Sequence, residues 1–380
     1  MLRTFKFRLY PNRAQRLAFE QTLETCRFIY NSALAERKHA WEKEGRSISY
    51  REQQNALPVL KESRASLRAV HSQVLQDVLR RLDKAFRNFF RRVKAGEKSG
   101  YPRFKNANRF DGFTYSQFGN GVGLRERNRL WLSKIGEVNI KLHRRLPANA
   151  KIKTCTIRRD VDQWFACFTI ELPDTAREPR EIRSAVGVDL GIANLVALST
   201  GETIENPRWL KHSEQKLAVQ QRVLTRKKNG SSSRWKQRLR VARLHCRVRR
   251  QRTDFLHKLS RKLVDSYDLV VFENLDVTRM MQSRLAKFIA DASWRQLILF
   301  TRYKAEEAGT VVQFVEAVNT SQQCSSCGAL VPKALRERVH SCPCCGLVTD
   351  RDVNAAKNIL LKCTAGRAGR ASEGIALASQ

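Results

Sequence analysis

The sequence predicts a multidomain α+β chain, and three observations carry that expectation. Short runs of alternating polarity at the N-terminus and between 108 and 180 read as strands of one β domain, with helical periodicity between them. From 184 onward, apolar strand-like runs alternate with long helical stretches, and two of those runs end on a carboxylate. Before the last helical stretch lie paired C-x-x-C-G knuckles. With 380 residues, 42% of them hydrophobic, the chain can bury two or three cores and is not a disordered polymer.

The elements follow in order. In residues 4–10, Phe5, Phe7 and Leu9 alternate with Lys6 and Arg8, a half-buried strand that Pro11-Asn12 ends. From Ala14 to Trp41 the pattern turns helical through Leu17, Leu23, Phe28, Ile29 and Leu34. A second amphipathic helix over 72–93 repeats Leu75, Val78, Leu79, Leu82, Phe86, Phe89, Phe90 and Val93 at spacings of three and four. Gly100-Tyr101-Pro102 breaks the helical run. Strand-like runs follow at 112–115, 130–132, 138–142, 155–158 and 165–172, so 108–180 reads as a small β domain completed by strand 4–10. Asp174–Arg183 is charged and carries a proline, as a linker does.

A new domain starts at 184. Ala185–Leu190 is a buried strand ending in a turn, 194–199 a second strand and 202–204 a short third. Residues 210–265 predict one or two long basic helices, broken at 227–233. The apolar strand 269–272 ends at Glu273, and a helix over 293–307 and a strand over 311–315 follow. The tail after Cys363 is rich in Gly, Ala and Ser and predicts disorder.

Charge narrows the function. The chain carries 72 Lys+Arg against 36 Asp+Glu, a formal +36. Such an excess repels itself in a free protein and calls for a polyanion, nucleic acid before any other. The candidate contacts are Arg80, Arg87 and Arg91 on the polar face of the 72–93 helix, Arg234, Lys236 and Arg240 in the basic helix, and Tyr101, Arg103 and Lys105. The last three belong to an aromatic and basic run with Phe104, Arg109, Phe110, Phe113 and Tyr115, which either stacks on bases or fills the β-domain core. The N-terminus has no signal-peptide core and no stretch approaches the roughly 18 apolar residues of a membrane span. The expectation is a cytoplasmic, nucleoid-associated protein with no membrane partner and, as oligomeric state, a monomer.

Asp189 and Glu273 each close an apolar strand. A carboxylate there is costly to bury unless it is paired or holds a metal. Either one alone also suits a turn or a strand end. Together they converge at strand ends, where open α/β sheets place their sites. Asp352 opens an Ala-rich helix whose apolar face is Val353, Ala356, Ile359 and Leu360, and Asp350 just before it suits the helix cap. Three such carboxylates can hold two hard ions such as Mg²⁺ and support in-line phosphodiester cleavage without a catalytic Ser, Cys or His.

Cys324-Ser325-Ser326-Cys327-Gly328 and Cys342-Pro343-Cys344-Cys345-Gly346 have the spacing of a structural zinc site. The ligands expected are Cys324, Cys327, Cys342 and Cys345. Cys344 fits a knuckle poorly, and His340 is a weaker alternative ligand. The other five of the ten cysteines are scattered, which argues for reduced thiols over a disulfide framework.

These residues together resemble the TnpB family (OrfB of bacterial insertion sequences), relatives of the type V CRISPR effectors. The likeness rests on Phe5–Pro11, Gly100–Lys105, Gly187-Val188-Asp189-Leu190-Gly191, Phe272-Glu273-Asn274-Leu275, Thr320-Ser321 ahead of the cysteine pairs, and Asp350-Arg351-Asp352-Val353-Asn354-Ala355-Ala356. The resemblance implies an RNase H-like (RuvC) α/β nuclease domain over 181–318, a zinc ribbon over 319–349, and the last RuvC helix over 350–365. It implies a β-barrel wedge domain over 1–10 and 108–180, a helical recognition domain over 11–107, and a tail at 366–380. It also implies an RNA-guided DNA endonuclease that takes a guide RNA from the transposon end. That enzyme cleaves double-stranded DNA beside a short transposon-adjacent motif, with Mg²⁺ or Mn²⁺ on Asp189, Glu273 and Asp352. All three acidic positions are filled, unlike in the inactive relatives that act as RNA-guided repressors. The other readings are a non-catalytic nucleic-acid-binding regulator of transposition or transcription, and a transposase that joins strands.

Overall fold

The computed structural model describes residues 2–147, 150–172, 180–334 and 337–376, and the side chains of all of these but 108 and 365–376. Two units divide the chain, Met1–Asp174 and Thr175–Gln380.

In the first unit the alternation of Phe5, Phe7 and Leu9 makes strand β1 (Leu2–Tyr10), with those three side chains buried. Asn12 and Gln15 then form a reciprocal capping box that starts helix α1 (Arg13–Glu44). Short helices α2 (Tyr50–Asn55), α3 (Leu57–Ser63) and α4 (Ala65–Arg68) lead to α5 (Ser72–Lys94), which buries Leu75, Val78, Leu79 and Leu82. After a 3-10 turn at Ala107–Arg109 come β2 (Gly112–Tyr115), β3 (Val122–Arg125), β4 (Arg129–Leu132), β5 (Gly136–Lys141), β6 (Lys151–Asp160) and β7 (Gln163–Glu171). These six and β1 form one antiparallel sheet in the order β2-β6-β7-β1-β5-β4-β3. The N-terminal strand therefore completes the later β segment, between β7 and β5.

Two expectations change here. Helices and sheet share one core: Phe19 of α1 packs on Phe113 of β2 and Trp164 of β7. A boundary at 10/11 or 107/108 thus separates no compact unit. The described strand pairings also run from β2 to β3 without the closing ladder of a barrel. At β2 the Gly112 carbonyl accepts instead from Arg81 of α5 at 2.9 Å, and the same guanidinium reaches Thr114 Oγ1.

The second unit is built on a mixed sheet. Its strands are β8 (Ala185–Leu190), β9 (Asn194–Leu198), β10 (Thr203–Glu205), β11 (Leu269–Glu273) and β12 (Val311–Val315), in the order β10-β9-β8-β11-β12. β11 runs parallel to both β8 and β12, and β9 and β10 are antiparallel additions. The crossover from β10 to β11 holds the basic helices α6 (Trp209–Thr225) and α7 (Ser232–Ser266). Two short helices the sequence did not announce, α8 (Val277–Met280) and α9 (Ala286–Ala292), precede α10 (Trp294–Ala308). After β12 a hairpin of β13 (Val339–Ser341) and β14 (Val348–Asp350) leads into α11 (Arg351–Ala376).

Strand alternation divides the sheet's two faces. Val186, Val188, Leu190, Val270 and Phe272 pack with Leu256, Leu259 and Leu263 of α7 and Leu297 of α10. Leu269 and Val271 pack with Ile359 and Cys363 of α11 on the other face. Gly187 allows α11 that approach, since a Cβ there would lie 2.0 Å from the Ala356 carbonyl oxygen.

The tail is a further correction. The helix begun at Arg351 continues to Ala376 rather than ending near 365, and only 377–380 lie outside the described residues. Ala365, Ala368, Ala371 and Ala376 favour the extension of a helix already nucleated, while Gly366, Gly369 and Gly374 each oppose it by about 1 kcal/mol. The linker at 174–183 also lies outside the described residues up to 179. Its end is fixed on the second unit, where Arg180 N donates to Gly309 O at 2.8 Å. No helix among the described residues is long and apolar enough to cross a membrane.

Candidate active site and metal centre

Period-two alternation decides where the strand-end carboxylates point. Leu269 and Val271 face α11, so Glu273, the next residue of that set, faces it too. Ala185, Gly187 and Asp189 share that face on β8. Phe272 pairs with Val188 across the parallel ladder, so Glu273 and Asp189 stand one step further on neighbouring strands. Asp352 enters from above in the first turn of α11. Its Oδ2 lies 3.8 Å from where a Cβ on Gly191 would stand, beside the end of β8.

The three carboxylates feel one another. Burial, first, and the charges of Asp352 and Glu273 push the Asp189 carboxyl up to about 7, against the pull of the Arg351 guanidinium. Glu273 and Asp352 are buried, and Asp189 is half-buried. Asp352 is not bare: Arg351 donates to its Oδ1 from Nε at 3.2 Å and from a terminal nitrogen at 3.1 Å, and Arg338 approaches its Oδ2 at 3.5 Å. Asp350 caps the helix, its Oδ1 accepting from the backbone N–H of Asp352 and Val353. A crowd of acidic oxygens held together at the cost of mutual repulsion fits a divalent cation. Their spread is wider than one ion's shell: among the described residues, only the cysteine set brings its ligand atoms all within 4.8 Å of one another.

That set is Cys324, Cys327, Cys342 and Cys345. Both knuckles fold alike. Gly328 N donates to Cys324 O and Gly346 N to Cys342 O, each at 3.0 Å, and both glycines take positive φ, 78° and 72°. The sulfurs of Cys324 and Cys345 are 3.6 Å apart, and those of Cys327 and Cys342 3.5 Å. Four thiolates at about 2.3 Å around a tetrahedral ion stand about 3.8 Å from one another, so the set fits such an ion closely. The backbone N–H of Cys345 and then of Cys344 hold the Cys342 thiol below the ordinary range, against burial. Cys344 is exposed and outside the set. His340 is fully buried beneath the knuckles and is also outside it.

The expected nucleic-acid contacts divide by surroundings. Arg80, Arg87, Arg91, Tyr101 and Arg103 are exposed, with Arg87 paired to Asp83 at 3.0 Å. Lys105 is half-buried; its backbone N–H donates to Asn31 Oδ1 and its ammonium lies over the Tyr30 ring. Phe110, Phe113 and Tyr115 are buried and belong to the core. In the second unit Lys236 and Arg240 are exposed. Arg234 is turned inward, donating to the carbonyls of Leu224 at 2.7 Å and Lys227 at 2.9 Å, where it closes the end of α6. Sequence reasoning missed Thr320, whose hydroxyl donates to Glu273 Oε1 at 2.5 Å. Only its place in the Thr320-Ser321 motif marked it.

Fold and site together define a class: a multidomain α+β chain with a carboxylate-edged mixed sheet and a four-cysteine ribbon entering its last helix. Three family models match the chain. One described as "Probable transposase" covers 167–284, a "Cas12f1-like, TNB domain" covers 294–359, and a "Helix-turn-helix domain" covers 1–46. In this structure residues 1–46 supply one strand and one 32-residue helix. A Streptomyces pristinaespiralis protein named "Putative RNA-guided DNA endonuclease" is 38% identical, over 94% of this chain and 88% of that protein. The Escherichia coli K12 protein named "Putative RNA-guided DNA endonuclease InsQ" is 30% identical, over 94% of this chain and 92% of its own. The solved structure of the mini RNA-guided endonuclease CRISPR-Cas phi3 shares the fold at a TM-score of 0.52 and 10% identity, covering 94% of this chain and 92% of that one. The chain belongs to the TnpB (OrfB) family.

Proposed function

We propose that this protein is an RNA-guided DNA endonuclease whose catalytic residues are Asp189, Glu273 and Asp352. The observation that carries the reading is the convergence of Asp189 and Glu273, on one face of neighbouring strands, with Asp352 of the helix packed on that face, in a member of this family. Divalent ions held there, Mg²⁺ or Mn²⁺, would supply activation of water and stabilisation of the leaving 3′ oxygen. Asp189 stands on the strand beside Glu273, on the face that α11 and Asp352 cover, so these three carboxylates would hold the ions. Thr320 fixes one oxygen of Glu273 and leaves the other for a ligand role. Arg338 and Arg351 lie against Asp352 and offset its charge. Zinc at the four cysteines is structural, because four thiolates leave no open position.

In this reading 181–318 and 350–365 are the RuvC-like nuclease domain, with the ribbon at 319–349 between them. Strand 1–10 with 108–180 serves as the wedge and 11–107 as the recognition helices. The charge of +36 suits a chain that holds both a guide RNA and a duplex, while base pairing reads the target. The exposed Arg80, Arg87, Arg91, Tyr101, Arg103, Lys236 and Arg240 are the proposed phosphate and base contacts. Sequencing of RNA that co-purifies with the protein, then incubation with a plasmid library of randomised flanks, tests the reading. Recovery of one discrete RNA and cleavage beside a short fixed motif is the expected result. Stable RNA binding with no cleavage in Mg²⁺ or Mn²⁺ would favour a non-catalytic regulator instead.

A further inference from the structure

The ribbon's root is fastened to the carboxylate site by buried side chains. Asn354 and Asn358 lie one helical turn apart on α11, two and six residues after Asp352, and both are buried. Asn354 donates through Nδ2 to Gln323 O at 2.7 Å, and its Oδ1 accepts from Ser325 N at 2.9 Å. The residues on both sides of Cys324 are thereby clamped to the helix that carries Asp352. Asn358 donates to the same Gln323 carbonyl at 2.6 Å and to Thr320 O at 2.8 Å. Thr320, itself buried, passes its hydroxyl hydrogen bond to Glu273 Oε1. One continuous polar chain thus runs from the backbone of a cysteine knuckle, through α11, to a carboxylate on β11. Arg338, just before the hairpin, reaches Asp352 from the ribbon side.

From this geometry we infer that Thr320, Asn354 and Asn358 are positioning residues that couple the cysteine cluster to the carboxylates. An ion on the cysteines then sets where Glu273 and Asp352 stand. The inference rests on the nuclease reading above and deepens it. Asn354 bonds through both ends of its amide and Asn358 donates twice, and these bonds favour a single arrangement, because each orphaned buried group costs about 1–3 kcal/mol. The carboxylates need such help, since their oxygens spread beyond one ion's shell. A Glu273 side chain released from Thr320 has more than one rotamer open to it, and the cation must then hold it in place alone. Weaker binding of the catalytic ion follows, with guide RNA binding untouched.

The test uses the full-length, guide-loaded protein. Thr320→Val is nearly isosteric and removes only the hydroxyl; Thr320→Ser restores it. Two quantities are read: the Mg²⁺ concentration for half-maximal cleavage, and Mn²⁺ binding by electron paramagnetic resonance. Thr320→Val is expected to raise both requirements about tenfold or more at wild-type RNA content, and Thr320→Ser to return them to within about twofold. Asn354→Ala and Asn358→Ala are expected to shift them the same way, as is wild-type protein stripped of cysteine-bound metal. If the asparagine variants do not fold, the two threonine variants still decide the matter. A Thr320→Val protein with wild-type Mg²⁺ and Mn²⁺ requirements overturns the positioning inference. Asp189→Ala serves as the separate control: if it still cleaves, the assignment of the carboxylate site fails. If it is inactive while Thr320→Val behaves as wild type, only the coupling fails.

Discussion

Replacing Gly187 with Ala perturbs a close backbone contact between α11 and the sheet. The added Cβ would stand 2.0 Å from the Ala356 carbonyl oxygen and 2.9 Å from the Leu360 nitrogen, where ordinary contact begins at 3.4 Å. Both obstacles are helix backbone, so no side chain can swing away. Helix and strand must part by about 1.4 Å at this point. Overpacking of a filled interior costs about 1–3 kcal/mol, and a backbone clash belongs at or above the upper end, so a loss of about 2–4 kcal/mol is expected. Asp352 lies one turn from Ala356 on the same helix, and a displacement near an ångström at a reacting centre costs roughly 100-fold in rate. Urea unfolding followed by circular dichroism, together with single-turnover cleavage by guide-loaded protein, measures both effects. Gly123→Ala is the matched control, because nothing lies within 4 Å of its Cβ position and its cost should stay within about 0.5 kcal/mol. A Gly187→Ala protein with the wild-type midpoint and cleavage rate would refute the close-approach argument.

Cys342→Ser is expected to lose cysteine-bound metal in elemental analysis, whereas Cys344→Ser keeps it; equal metal content in the two would remove Cys342 from the ligand set. The arginines of α5 should separate by role. Arg81→Ala breaks the bonds to Gly112 O and Thr114 and should cost about 1–3 kcal/mol of stability with RNA affinity unchanged. Arg91→Ala should leave stability intact and lower the salt slope of RNA binding by about one; the reverse pattern would contradict the assignment. Burial, then Arg261, lowers the Lys304 ammonium to about 8 from 10.5, so its charge opposes folding fully below pH 8. The unfolded chain holds the proton longer, so stability should rise between pH 8 and about 10.5, by up to about 3 kcal/mol. Lys304→Met should flatten that rise; an unchanged pH profile would show the buried charge to be innocuous.

What the sequence disclosed follows from the range of the forces involved. Alternation in 4–10, the apolar run at 185–190 and the stripe in 72–93 are local patterns, and each became the element it announced. The knuckles were legible because the C-x-x-C-G spacing and its positive-φ glycines are also local. Capping by Asp350 could be told from the deeper placement of Asp352 by position in the first turn alone. What stayed hidden is long-range. Nothing near Arg234 says that its guanidinium turns back to the end of α6, and nothing near Arg81 marks it as a strut to β2. Helices α8 and α9 are too short for a period to register, and Thr320 gained its meaning only from Glu273, 47 residues away. The open end of the sheet at β2 likewise depends on a helix packed against it, which no strand pattern records.

The central claim is tested most directly by one cleavage measurement on Asp189→Ala, Glu273→Ala and Asp352→Ala, each purified with its guide RNA and supplied with a matched duplex and Mg²⁺. All three should keep wild-type RNA content and target binding while cleavage falls by a factor of about 1,000 or more. Cleavage at the wild-type rate by any one of them would contradict it.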